Sequence, residues 1–294
     1  MDKIKIIGGN SLFGKVYISG AKNTALPIIC ASLLTDEPVT IKNIPFLSDI
    51  KSLNSLLLQL GTDIVEKQEI LNGHNTQTIT YHTPKPTSII APYDYVRKMR
   101  ASYYVLGPLL AKYGHVELSL PGGCAIGARP MDIHLSSLEQ MGANIEIKNG
   151  YVVADIKGRL QGARISFHSA SVGATCNILM AATLAQGTTV IENAAKEPEI
   201  GDLIDMLITM GAYIEGKNTS TLTIHGVEKL HGVTHQIIND RIEAGSYAVA
   251  AAMTHGRLEL VNANAEHLQT PLDILRKTGV NVEITPNSII VDAQ

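Results

Sequence analysis

One short phrase occurs four times in this chain: Leu60-Gly61-Thr62-Asp63-Ile64, Met141-Gly142-Ala143-Asn144-Ile145, Met210-Gly211-Ala212-Tyr213-Ile214 and Thr278-Gly279-Val280-Asn281-Val282. Its glycines fall 81, 69 and 68 residues apart (61 to 142, 142 to 211, 211 to 279). Repetition at a near-fixed period marks an architecture built from copies of one supersecondary unit. Upstream of each phrase an apolar helix runs into a strand: residues 25–34 into 39–43, 102–111 into 116–120, 174–185 into 188–193, and 245–253 into 257–262. Each unit therefore reads helix, strand, helix, strand, strand. The phrase glycine is expected just past the end of the second helix, where a left-handed residue closes the helix. The strand after it alternates, as in Asn144-Ile145-Glu146-Ile147, and Lys148-Asn149-Gly150 turns the chain into Tyr151-Val152-Val153-Ala154. The first helix of each unit is apolar nearly all round, which predicts burial. Three units are expected to close around their inner helices with the sheets outside, an α/β fold.

Composition narrows the function. Aromatic residues make up 4% of the 294 and there is no tryptophan, so the core must be aliphatic. With 24 basic against 27 acidic residues and no Lys/Arg run, nucleic acid is excluded as a partner. Met1-Asp2-Lys3-Ile4-Lys5-Ile6-Ile7 reads as a strand rather than a signal peptide, and no stretch of 18 apolar residues occurs. Cys30, Cys124 and Cys176 are scattered without metal-ligand spacing, which fits a reducing compartment. A cytoplasmic protein without membrane contact, metal or cofactor is expected. His231 and His235 have a helix-like spacing, but Gly232 lies between them and no third ligand accompanies them. Neither a Walker A nor a G-x-G-x-x-G pattern occurs.

The chemistry concentrates in Pro121-Gly122-Gly123-Cys124-Ala125-Ile126-Gly127-Ala128-Arg129-Pro130. Glycines let a backbone approach a ligand closely. Arginine offers a planar fork of donors for phosphate or carboxylate. A thiol donates a proton or attacks carbon according to how its pKa is set. The segment reads as a site for a small anionic substrate with Cys124 as the reacting group. The competing reading, a packed cysteine, fits poorly with flanking glycines and an arginine.

Six segments carry a family resemblance: Gly20-Ala21-Lys22-Asn23-Thr24-Ala25-Leu26-Pro27, Met99-Arg100-Ala101-Ser102, Pro121 through Leu135, Ser171-Val172-Gly173-Ala174-Thr175, Glu197-Pro198-Glu199-Ile200 and Asp240-Arg241-Ile242-Glu243. With them the chain resembles the enolpyruvyl transferases from end to end, in the branch that acts on UDP-N-acetylglucosamine. The sister branch, acting on shikimate 3-phosphate, lacks the Pro-Gly-Gly-Cys loop. The resemblance implies an inverse α/β barrel of two domains, each of three units, meeting at a cleft. By that plan residues 22–238 form one complete domain, and residues 1–21 with 239–294 belong to the other. Six units of about 70 residues would need about 420. The second domain is therefore expected to lack two units, and its unit at 239–294 to expose apolar helix faces.

The resemblance further implies transfer of the enolpyruvyl group of phosphoenolpyruvate to the 3-hydroxyl of UDP-N-acetylglucosamine with release of phosphate, the first committed step toward the bacterial cell-wall precursor. Phosphoenolpyruvate and UDP-N-acetylglucosamine are the implied partners, with no obligate protein partner. Cys124 matches the proton donor to the methylene carbon, the group that forms a covalent adduct with phosphoenolpyruvate and is alkylated by fosfomycin. Lys22, Asn23 and Arg129 match the phosphoenolpyruvate site. Arg100, Arg129, Pro130, Met131, Asp132, Ile133, His134, Leu135, Ser169, Ala170, Ser171, Val172 and Gly173 match the nucleotide-sugar pocket. Glu197, Glu199, Asp240 and Arg241 stand behind these, and for Asp240-Arg241 a hinge salt bridge and a substrate contact both remain open. The alternative to an enzyme is a truncated, non-catalytic relative that binds nucleotide-sugar weakly.

Overall fold

A computed structural model describes residues 3–71, 73–96, 99–120 and 131–294, with the backbone alone at Arg100. The chain divides into two compact units, one of residues 22–68 with 77–238, the other of 1–21, 69–76 and 239–294. Residues 69–76, which the sequence plan gives to the larger unit, cluster with the smaller.

The chain enters through β1 (Phe13–Tyr17) and α1 (Lys22–Ala31), the latter continued by a 3-10 turn over Ser32–Leu34. The first repeat goes on through β2 (Val39–Ile44), α2 (Ser48–Leu60), β3 (Asp63–Leu71) and β4 (His74–His82). The second opens with β5 (Ile90–Ala91), α3 (Tyr93–Val96) and a 3-10 helix over Arg100–Val105. It continues with α4 (Leu106–Tyr113), β6 (His115–Ser119), α5 (Asp132–Gln140), β7 (Asn144–Lys148) and β8 (Tyr151–Asp155). The third holds β9 (Arg164–Ser166), α6 (Val172–Thr183), β10 (Thr188–Glu192), α7 (Pro198–Thr209), β11 (Tyr213–Glu215) and β12 (Thr221–His225). After β13 (Thr234–Gln236) the fourth follows: α8 (Arg241–Met253), β14 (Arg257–Val261), α9 (Gln269–Lys277), β15 (Asn281–Ile284) and β16 (Ser288–Asp292).

The four sheets share one plan: β13-β2-β4-β3, β5-β6-β8-β7, β9-β10-β12-β11 and β1-β14-β16-β15. In each, the first pair is parallel and the next antiparallel. The leading strand of each sheet is an addition to the sequence plan, and β5, β9 and β13 are too short to show a period. β13 follows the third repeat yet pairs with β2 of the first, closing the larger unit on itself. His235 lies on β13, not on a helix, and its Nε2 is 3.0 Å from Asp202 Oδ1 of α7. The other carboxylate oxygen of Asp202 accepts from the Ile238 amide at 3.1 Å, and His231 pairs with Glu37. Both histidines are thus taken by carboxylates, and among the described residues no His/Cys/Asp/Glu group is arranged to hold a metal ion.

All four phrase glycines have a left-handed backbone, at φ 97°, 91°, 106° and 93° for Gly61, Gly142, Gly211 and Gly279. Each closes its helix with the same pair of bonds. At the first, Gly61 N donates to Leu58 O and Thr62 N to Leu57 O; at the second, Gly142 N donates to Glu139 O and Ala143 N to Leu138 O. This double closure satisfies carbonyls that a helix end leaves unpaired.

In the larger unit α1 packs on the 3-10 helix at 100–105, α4 on α6, and α6 on α1. Every residue of α6 from Ala174 to Thr183 is buried. Around these helices Ile28, Leu33, Leu57, Leu109, Leu179 and Leu203 belong to one aliphatic core. The smaller unit has a separate core, including Ala248, Ala251, Leu260, Ile289 and Val291. Its helix α8 departs from its counterparts, burying Ala244, Ala248 and Ala251 while exposing Ile242, Val249 and Met253. Residues 3–12 form no strand, in contrast to the strand the sequence suggests at 1–7, and Ile4, Ile6 and Ile7 are exposed. No helix among the described residues is long and apolar enough to cross a membrane.

Candidate active site

The repeat frame shows where site residues are inserted. In the first and third repeats an asparagine with positive φ stands within one residue of the end of the strand leaving the inner helix, Asn43 at 65° and Asn193 at 56°. Each side-chain amide bonds the carbonyl just past the leading strand of its sheet: Asn43 Nδ2 to Ile237 O at 3.1 Å, and Asn193 Nδ2 to Phe167 O at 2.9 Å. Asn262, at φ 68°, marks the same corner in the fourth repeat. Only short crossovers follow in the first and third repeats, 45–47 before α2 and 193–197 before α7. The second repeat has Leu120 instead, and residues 120–131 separate β6 from α5. In sequence, the glycine-rich thiol segment thus falls where the first and third repeats have only a short crossover. Cys124, Arg129 and Pro130 lie outside the described residues.

Lys22 is the first residue of α1, and its Nζ lies 3.1 Å from Asp49 Oδ2 in the first turn of α2. Asn23 follows, exposed. Arg100 opens the 3-10 helix that leads into α4.

Residues 131–135 form the entry and first turn of α5. Met131 and His134 are buried, Ile133 and Leu135 pack partly against the core, and Asp132 is exposed with Oδ2 3.4 Å from His168 Nε2. Residues 169 and 170 are exposed and lead to Ser171, the N-cap of α6, whose hydroxyl accepts from Ala174 N at 3.3 Å. That cap satisfies one of the first-turn amides and leaves the helix start polar and positive. Val172 and Gly173 are half-buried.

The two segments meet. A Cβ built on Gly173 would stand 3.1 Å from the Tyr103 hydroxyl and 3.3 Å from His134 Nε2, so a glycine lets the start of α6 approach both rings. Tyr103 and His134 themselves pack edge to face, centroids 4.9 Å apart.

Glu197 stands at the N-cap position of α7 without a side-chain capping bond, ahead of Pro198 at the first helical position, and Glu199 is buried. Burial first, and then the carboxylates of Glu199 and Glu197, push the Cys176 thiol up. Asp240 caps α8 in the smaller unit, its Oδ1 accepting from Ile242 N at 2.8 Å and Glu243 N at 3.1 Å, and Arg241 begins that helix. Sequence reasoning missed Asp49, Tyr103, His168 and Asn177. Asn177 had a readable signal, since an amide inside an apolar helix must find partners when buried.

A cavity of about 390 Å³ lies elsewhere in the larger unit, bordered by Asp36, Lys112, Arg159 and Leu184. Its Lys112 is paired with Asp36, and Arg159 donates to the carbonyls of Leu184, Ala185 and Val227. Two of its three cations, Lys112 and Arg159 but not Lys229, are thus engaged by the protein, and the converging segments at the starts of α5 and α6, which carry the residues the sequence singles out, are the stronger candidate.

A sequence model described as EPSP synthase (3-phosphoshikimate 1-carboxyvinyltransferase) matches residues 6–294. The UDP-N-acetylglucosamine 1-carboxyvinyltransferase of Paramagnetospirillum magneticum is 51% identical over 294 residues, covering 100% of this chain and 68% of that protein. The protein of the same name from Sphingopyxis alaskensis is 52% identical over 296 residues, covering 99% and 68%. The chain thus spans about two thirds of the length of these relatives. Among solved structures, the enolpyruvyl transferase NikO from Streptomyces tendae superposes with a TM-score of 0.82 at 23% identity, over 97% of this chain and 66% of that one. EPSP synthase from Acinetobacter baumannii gives a TM-score of 0.70 at 20% identity, over 97% and 64%. These two likenesses speak to fold alone. By sequence along its whole length, the chain belongs to the enolpyruvyl transferases, and among them to the family of the UDP-N-acetylglucosamine 1-carboxyvinyltransferases.

Proposed function

We infer that the protein carrying this chain transfers the enolpyruvyl group of phosphoenolpyruvate to the 3-hydroxyl of UDP-N-acetylglucosamine and releases phosphate. The observation that carries this is the 51% identity, over the whole chain, to a protein bearing that activity's name. The chemistry is addition then elimination. The methylene carbon of phosphoenolpyruvate gains a proton as the sugar 3-hydroxyl gives up its own and its oxygen bonds to the neighbouring carbon; a proton then leaves the methyl group as the C–O bond to phosphate breaks. Cys124 donates the first proton, because a thiol is mostly protonated at neutral pH. Lys22, at the start of α1, and Arg129 gather the negative charge of phosphoenolpyruvate and ease the departure of phosphate, with Asn23 beside them. The nucleotide-sugar lies along Arg100, residues 129–135 and 169–173, its diphosphate toward the amides that open α6.

Residues 22–238 serve as a complete three-unit domain. Residues 1–21 with 239–294 serve as part of a second domain. The product feeds peptidoglycan synthesis, and the reaction takes place in the cytoplasm.

The test is phosphate release from phosphoenolpyruvate by the whole protein and by its Cys124→Ala variant. UDP-N-acetylglucosamine and shikimate 3-phosphate are offered separately as acceptors. Release that requires the sugar nucleotide and vanishes in the variant is the expected result. A preference for shikimate 3-phosphate, or release independent of any acceptor, would sink the assignment.

A further inference from the structure

We propose that Asn177 is the positioning residue of the nucleotide-sugar site, and that it acts by fixing the tautomer of His134. This rests on the functional reading above and adds to it a residue that no matched segment contains.

Asn177 is fully buried on α6 and all three polar positions of its amide are used. Its Oδ1 accepts from Gly107 N at 2.7 Å. Its Nδ2 lies 2.9 Å from the Tyr103 carbonyl oxygen and 3.1 Å from His134 Nδ1. The orientation of the amide is not open to choice. A backbone N–H needs an acceptor and a carbonyl needs a donor, so the oxygen must face Gly107 and the NH₂ must face Tyr103. The second hydrogen of that NH₂ then points at His134 Nδ1. That ring nitrogen must accept, and the proton of the imidazole sits on Nε2, the atom facing Gly173 at the start of α6.

The consequence is topological. Three segments assigned to the nucleotide-sugar lie on different elements: Arg100 on the 3-10 helix with Tyr103, residues 131–135 on α5 with His134, and Ser171 to Gly173 on α6 with Asn177. One amide ties all three. Gly107 is part of the same device, because a Cβ there would fall 2.5 Å from Asn177 Oδ1 and 2.4 Å from Asn177 O. Its absence lets α4 come close enough to donate its amide. A buried network with every position satisfied rigidifies what it joins, and a half-satisfied one costs more than an apolar contact. Asn177 therefore sets the relative placement of segments that hold one ligand, without touching that ligand.

The experiment uses the whole protein and two measurements. Nitrogen-15 NMR of the His134 ring is expected to show Nδ1 without a proton and Nε2 with one. The Asn177→Asp variant keeps the acceptor for Gly107 but cannot donate, so Nδ1 there should gain a proton. Calorimetric binding of UDP-N-acetylglucosamine should weaken about tenfold or more in this variant, the scale of one buried hydrogen bond replaced by a mismatch. The KM for phosphoenolpyruvate should stay within about twofold, a split that a general loss of folding would not produce. A native ring protonated on Nδ1, or affinities for both substrates falling together, would overturn the proposal. A native protein that binds no UDP-N-acetylglucosamine would overturn the functional reading instead, while the tautomer still decides the role of Asn177.

Discussion

Single residues show how burial sorts chemically similar groups. Cys30 on α1 and Cys176 on α6 are both fully buried, and burial pushes both thiols far above their usual range. A thiol that cannot ionise is neither nucleophile nor acid. Alkylation of the native protein should therefore leave Cys30 and Cys176 unmodified, and both should react once the chain is unfolded. Peptide mass spectrometry reads this directly, and label on either in the native protein would show the inner helices to be accessible. Cys124 should take the native label, so the Cys124→Ala chain should take up none. Lys22 illustrates the opposite case, a half-buried cation held at the head of its helix by Asp49. A partly exposed pair of that kind adds little stability; its effect is on where the ammonium points.

At the scale of elements, the repeat is built by turn chemistry as much as by hydrophobic pattern. The four phrase glycines close four helices with the same two bonds and the same sign of φ. Alanine in that backbone conformation costs about 1 kcal/mol. Surroundings should separate two sites in the same unit. A Cβ on Gly142 would meet only Gln161 Cγ at 3.9 Å, whereas one on Gly61 would stand 2.6 Å from Thr87 N and 2.7 Å from Thr87 Oγ1. Gly142→Ala should then cost about 1 kcal/mol and Gly61→Ala at least about twice that. Denaturant unfolding of the two variants decides it, and equal losses would mean that the Thr87 segment yields without strain. The asparagine corners at 43, 193 and 262 are the second recurring device. The second repeat has Leu120 at the equivalent point, and the glycine-rich thiol segment follows it in sequence.

For the whole molecule, two separate cores predict two cooperative units. Leu179 is fully buried in the core of the larger unit, while Ile289 and Val291 belong to that of the smaller. Leu179→Ala should cost about 2–5 kcal/mol through the cavity it leaves. Hydrogen exchange should show that loss across the inner helices α1, α4 and α6, with β14 and β16 keeping their native protection. Uniform loss of protection along the chain would mean that the two cores unfold as one.

Much of this was legible in the sequence because it depends on short-range pattern. The glycine phrases, the apolar helices and the alternating outer strands are local, and they lie within a few residues of their expected bounds. Segment motifs also gave the family, which the comparisons bear out. Local pattern was insufficient wherever a residue's meaning comes from a distant partner. The KIKII stretch near the start has the composition of a strand, yet a strand needs a neighbour to pair with, and the structure starts its sheet at Phe13 instead. β13 is too short to show a period, and only its pairing with β2, nearly two hundred residues earlier in the chain, makes it a strand. His235 has helical spacing from His231, but Asp202 of α7 claims it. By itself the sequence determined the repeated unit, its helix ends, its aliphatic core and the chemical character of the thiol segment. Tertiary structure alone decided which strands pair, and that one buried amide joins three segments from three elements. The physical reason is that hydrogen-bond satisfaction in the interior is settled between residues far apart in sequence.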